Sequence, residues 1–92
     1  MTAPPAFRGT VRYFRPEHAT GLAVVDVPAE VTVQLGGLKQ MRVRATINGK
    51  EFSSNTMPAG SGRLALSLNK QILSTCGLSI GDEANFSIER LT

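Results

Sequence analysis

Residues 62–91, GRLALSLNKQILSTCGLSIGDEANFSIERL, decide how this chain folds. Leu64, Leu66 and Leu68 alternate with Ala65 and Ser67, the period of a half-buried strand. Asn69 suits a helix N-cap, where its side chain satisfies free amide donors. Lys70 to Cys76 then supply about two turns of helix, with Ile72, Leu73 and Cys76 on one side. Gly77 can take the left-handed conformation that ends a helix. Leu78 and Ile80 flank a Gly81-Asp82 turn, and Ala84, Phe86 and Ile88 alternate with Asn85, Ser87 and Glu89 as another strand.

The same layout occurs 41 residues earlier, over Gly21 to Ile47. Leu64, Leu66 and Leu68 fall on Ala23, Val25 and Val27. Asn69 falls on Pro28, itself favoured at a helix start because its missing N–H would be unpaired there. Ile72 falls on Val31, Cys76 on Leu35, Gly77 on Gly36, and the last strand on Val43, Ala45 and Ile47. Identities are few, but apolar residues match apolar ones and both caps align. Further toward the N-terminus the same offset puts Val11 on Phe52 and the loop 15–20 on 56–61.

Outward from these units, Ala6 to Phe14 alternates with Phe7, Val11 and Tyr13 on one side, and Arg8, Thr10 and Arg12 on the other. Arg15 to Thr20 reads as a polar turn. His18 within it lacks a second ligand at metal spacing and reads as a solvated loop histidine. In Met41 to Ile47 the apolar set Met41, Val43, Ala45 and Ile47 points inward, with Arg42, Arg44 and Thr46 outward. Asn48-Gly49 is the preferred two-residue hairpin turn, since both residues tolerate positive φ. A short fourth strand, Lys50 to Asn55, follows. Thr56 to Gly62, TMPAGSG, is Gly-rich but leads into a strand, so it reads as a connector rather than a phosphate cradle.

With 92 residues and 41% hydrophobic composition, the chain suits a single domain (1–92) with one modest core, residues 1–5 forming a flexible arm. No apolar run is long enough to cross a bilayer as a helix. The start, MTAPPA, lacks signal-peptide regions, and one cysteine cannot form an internal disulfide, so a cytoplasmic location is expected. Net charge is +3, and all the excess lies in residues 1–46, which hold six basic groups against three acidic ones. Uneven positive charge is one footprint of phosphate binding.

These elements predict a mainly β fold: a small six-stranded β-barrel with two short helices, built from two repeats, about 8–48 and 49–89. Closure protects the strand edges that an open sheet would expose. The stretches LSLNKQI and LSTCGLSIGDEANFSI resemble the half-barrel unit of AbrB/MazE-type proteins, a resemblance that implies a double-split β-barrel made here within one chain. VDVPAEV, MRVRATINGKEF, MPAGSGRLALSLNK and GLSIGDEANFSIE together resemble a small bacterial family known as a domain of unknown function. In some relatives such a domain precedes a helical domain of the YdeI/OmpD-associated, bacteriocin-protection type.

The sequence carries no GxSxG, HExxH or paired-Cys motif, and no cofactor or metal site is expected. Asp26 reads as a helper in capping the first helix, Asp82 as a turn former, and Cys76, aligned with Leu35, as a small buried apolar residue. Tyr13 and the phenylalanines are too few for a base-stacking platform. The leading expectation is therefore a non-catalytic interaction module whose partner is a protein or DNA, monomeric or a small homo-oligomer. The resemblance to AbrB-type proteins implies a DNA-binding alternative, with Arg8, Arg12, Arg42 and Arg44 as a basic strand face if their two strands are neighbours. A third reading places a small anion or ligand near Arg63, Asn69 and Lys70.

Overall fold

The computed structural model describes residues 4–14, 22–60 and 62–91. The elements run β1 (Ala6–Tyr13), β2 (Ala23–Val27), α1 (Ala29–Leu35), β3 (Met41–Ile47), β4 (Lys50–Gly60), β5 (Arg63–Leu68), α2 (Lys70–Cys76) and β6 (Glu83–Arg90). The strands close into a barrel in the order β1-β2-β5-β4-β3-β6, so the expected six-stranded β-barrel with two short helices is the fold. Every strand pair is antiparallel, and β1 and β4 each divide their length between two neighbours, Ala6–Thr10 with β6 and Val11–Tyr13 with β2, Lys50–Thr56 with β3 and Thr56–Gly60 with β5.

Alternation in the sequence becomes inside and outside. Val11, Val25, Val43, Leu64, Leu66 and Ile88 are fully buried, and with Ala45, Ile47, Leu68 and Phe86 they fill the barrel. Phe7 stacks on Phe86 across the β1–β6 pair, ring centroids 5.5 Å apart. Val31, Leu35 and Ile72 bring the helices onto the same core.

The caps differ between helices. Asn69 Oδ1 accepts a hydrogen bond from Ile72 N–H at 2.7 Å, whereas Pro28 offers no side-chain cap. Both helices end on a left-handed glycine, Gly36 (φ 113°) and Gly77 (φ 68°). After Gly77, Leu78 N–H returns to Leu73 O, the pattern that sets an apolar pair against the core. The Asn48-Gly49 hairpin has the expected positive φ at both residues, and Asn48 also exchanges hydrogen bonds with the Asn85 backbone.

Two opposed pairs are separated by 41 residues, Val25 with Leu66 and Thr46 with Ser87. β1 and β4 follow a different offset. Val11 lies opposite Val25 as Thr56 lies opposite Leu66, so Val11 corresponds to Thr56, 45 residues on, and Phe7 to Phe52. The expected match of Val11 with Phe52 is thereby corrected. Nine residues separate β1 from β2 in the chain, and two separate β4 from β5.

The connector expected over Thr56 to Gly62 is also corrected. β4 continues to Gly60, with Thr56, Met57 and Pro58 opposite Leu66, Ala65 and Leu64. Pro58 adjoins a register irregularity, where a strand tolerates a missing N–H. Ser61, the loop 15–20 with His18, the strand start expected at Gly21 and residues 1–3 of the expected arm lie outside the described residues.

Candidate functional site

Alternation on β1 and β3 sends Arg8, Arg12, Arg42 and Arg44 toward the outside of the barrel, but the two strands are not neighbours. β6 lies between them, presenting Glu83, Asn85, Ser87 and Glu89. Arg8 Nε lies 3.5 Å from Glu83, and Arg44 Nε lies 3.5 Å from Glu51 on β4. Arg12 is held more firmly. Its guanidinium binds both oxygens of Asp26, at 2.8 and 2.7 Å, and its Nη1 donates to the carbonyls of Tyr13 and Phe14. Asp26 is therefore the partner of Arg12 rather than a cap for α1. The hydrogen bond from Arg12 holds the Asp26 carboxyl below its usual range, against partial burial and with help from the charges of Arg12 and Arg63. Of the four arginines, Arg42 alone has no ion pair among the described residues. Exposed pairs add little stability, but each partner cancels field that a phosphate backbone would otherwise feel.

Arg63, Asn69 and Lys70 are not assembled into one site. Arg63 borders a groove of about 340 Å³ with Asp26, Val27, Pro28, Ala29 and Gly62. Asn69 borders a different groove and its side-chain oxygen is engaged in capping α2. Lys70 is exposed on the first turn of α2.

Each helix ends beside a groove. One of about 320 Å³ lies between α2 and the start of β4, with Phe52, Ile72 and Cys76 among its lining and Lys50, Glu51, Gln71 and Thr75 around them. Cys76 is half-buried there, not buried as its alignment with Leu35 suggests, because β4 leaves that side of the helix open. The other, about 560 Å³, lies between α1 and the end of β6, lined by Pro4, Pro5, Gln34, Leu35, Ile88, Glu89 and Arg90. A cation reaches the carbonyls at each helix end, Lys50 Nζ to Thr75 O at 3.1 Å and Arg90 Nη1 to Leu35 O at 3.4 Å. That placement complements the negative end of a helix.

Beyond α1 the surface changes character. Leu38 is 47% exposed and Leu91 36% exposed, and Lys39, Arg42 and Arg90 are exposed beside them in the chain. Leu91 N–H donates to Arg42 O at 3.1 Å, which joins the end of β6 to the start of β3. Alternation identifies Arg42 as outward. It does not identify Leu38, Lys39 and Leu91, which lie outside the alternating runs.

A family model described as a domain of unknown function, DUF1905, matches residues 7–88. This chain belongs to that family.

No curated protein matches the chain. The DUF1905 match takes in both helices and reaches into all six strands. Among the described residues of this DUF1905 domain, no group of three or more His, Cys, Asp or Glu side chains is placed to hold a metal ion. No helix among them is long and apolar enough to cross a membrane.

Proposed function

We propose that this DUF1905 domain is a non-catalytic interaction module of a bacterial, cytoplasmic protein. It meets its partner at the end of the barrel formed by the α1–β3 connector and the last residues of β6. The observation that carries the reading is the exposure of Leu38 and Leu91 beside the cations Lys39, Arg42 and Arg90. Interfaces combine an apolar centre with arginine-rich surroundings, and here Leu91 stands opposite Arg42 while Leu38 adjoins Lys39 in the chain. At this end β3 is paired on both sides, with β4 and with β6, so side chains rather than an added strand make the contact. The Asp26 carboxylate is engaged by Arg12, which supports a structural role for it rather than acid–base work.

Replacing Leu38 with a photo-crosslinking residue in cells tests the reading, with Ser53 on β4 as the comparison position. The expected result is one discrete protein adduct from position 38, lost when Arg42→Glu is added. Absence of any adduct from position 38 would remove the reading. A nucleic-acid adduct would favour the second reading, a DNA-binding regulator, for which the supporting observation is Arg42, exposed and without an ion pair among the described residues. Such binding would weaken steeply with salt, because it works by counterion release.

A further inference from the structure

We infer that the partner segment at this end is an acidic stretch carrying apolar side chains, rather than a nucleic-acid backbone; the inference rests on the interaction reading above. The Leu91 N–H to Arg42 O hydrogen bond sets these residues opposite each other where β6 leaves β3. One position back, Arg90 lies opposite Val43, and its guanidinium reaches across to Leu35 O at 3.4 Å. The crossing is close, since a Cβ on Gly36 would come within 2.8 Å of Arg90 Nη1. Leu38 and Lys39 follow directly, and the Thr56 hydroxyl holds the Lys39 carbonyl at 3.0 Å. Arg42 and Leu91 thus stand opposite each other on the outer face, while Arg90, opposite inward Val43, turns over the barrel end to the terminus of α1 that Leu38 and Lys39 follow.

The charges near this cluster leave it positive. Glu89, exposed two residues before Leu91, offsets one of the three cations, and Glu30 lies in the first turn of α1, away from its end. Lys39 and Arg42 have no ion pair among the described residues. Phosphates would answer the cations but give Leu38 and Leu91 nothing to cover them. Carboxylates interleaved with leucines answer both, and an arginine fork suits a carboxylate. An amphipathic segment with apolar anchors at helical spacing is the simplest such partner.

The probe is a fluorescein-labelled peptide of about fourteen residues, with Leu at helical spacing and Glu elsewhere. Its counterparts replace Glu by Lys, or Leu by Ser, and a short DNA duplex is run beside them. The expected result is binding of the Glu/Leu peptide about tenfold or more tighter than its counterparts, with amide shifts confined to residues 36–42 and 88–91. Lys39→Glu with Arg42→Glu should reverse the preference toward the Lys peptide, and Leu38→Ser with Leu91→Ser should weaken binding about tenfold at unchanged melting temperature. Equal binding of the Lys peptide, preferential binding of DNA, or shifts elsewhere on the barrel would overturn the inference. A crosslink from position 38 to a neutral or basic segment would overturn it while leaving the interaction reading intact. Loss of both crosslink and peptide binding would remove both.

Discussion

Thr46 and Ser87 stand opposite each other on β3 and β6 with their hydroxyl oxygens 2.6 Å apart, and they are separated by 41 residues in the chain. On the far side of the barrel Val25 and Leu66 stand in the same relation, fully buried. One pair is polar and half-exposed, the other apolar and enclosed. Thr46→Val should therefore cost about 1 kcal/mol or less, since Ser87 can turn to water. Leu66→Ala should cost about 2–5 kcal/mol through lost burial and a residual cavity. Urea unfolding measures both, and a Thr46→Val loss as large as that of Leu66→Ala would show the hydroxyl pair to be a structural centre.

Thr56 is the polar residue enclosed most completely among the described ones, with no exposed surface. Its hydroxyl donates to Lys39 O at 3.0 Å and accepts from Met41 N–H at 3.1 Å, so it holds the connector to β4. Thr56→Val keeps the shape and removes both bonds, leaving a backbone donor and acceptor without partners. A loss of about 1–3 kcal/mol is expected. Faster amide exchange at Met41 should accompany it, and a change confined to stability with Met41 exchange unaltered would contradict the latch.

Gly9 faces Val25 across the β1–β2 contact so closely that a Cβ would collide with Val25 Cγ2. The reason for glycine here is space, since Gly9 is not among the positive-φ glycines. Gly9→Ala should destabilise by about 1–3 kcal/mol through overpacking. Val25→Ala should destabilise by leaving a cavity. Together they should cost less than the sum, because each creates the room or fills the gap left by the other. Strict additivity would show that the two sites do not share this volume.

The strands were legible wherever one face is buried along their whole length, as in Met41–Ile47 and Arg63–Leu68, and the caps at Asn69, Gly36 and Gly77 announce the helix ends. β4 was legible only as far as Asn55. Pro58, Ala59 and Gly60 carry turn chemistry, and it is pairing with β5, Pro58 with Leu64 and Gly60 with Arg63, that keeps them extended. The arginine face failed for the same reason. Alternation gives the direction of Arg8 and Arg42, but the order of strands around the barrel puts Glu83 and Glu89 between them. The Leu91 to Arg42 backbone contact joins the end of β6 to the start of β3, a relation that no local pattern contains.

Asn69 caps α2 with its side chain, and Pro28 starts α1 without one. Asn69→Ala should cost about 1 kcal/mol, the usual loss when an N-cap oxygen is removed. The corresponding Pro28→Ala should act mainly by loosening the unfolded chain, with a cost of about 1 kcal/mol or less. Hydrogen exchange separates the two, since Asn69→Ala should expose the Ile72 amide selectively. Unchanged protection there would mean that packing of Ile72 on the core, rather than the cap, sets the start of α2.

Acid should weaken the Arg12–Asp26 link. The hydrogen bond from Arg12 holds the Asp26 carboxyl below its ordinary value of 3.8, so its contribution is present at neutral pH. As pH falls from that value through the lower folded one, the carboxyl takes up its proton and the contribution disappears. Arg12 is raised by the same bond, so its share persists at every pH below the ordinary guanidinium range. The two side chains are 34% and 39% exposed, so water screens the pair and the effect is modest. Stability of the wild type relative to Asp26→Asn, followed from neutral to acid pH, should be constant and then shrink in the carboxylate range. Parallel curves throughout would show that Asp26 ionises in the folded chain as it does in the unfolded one.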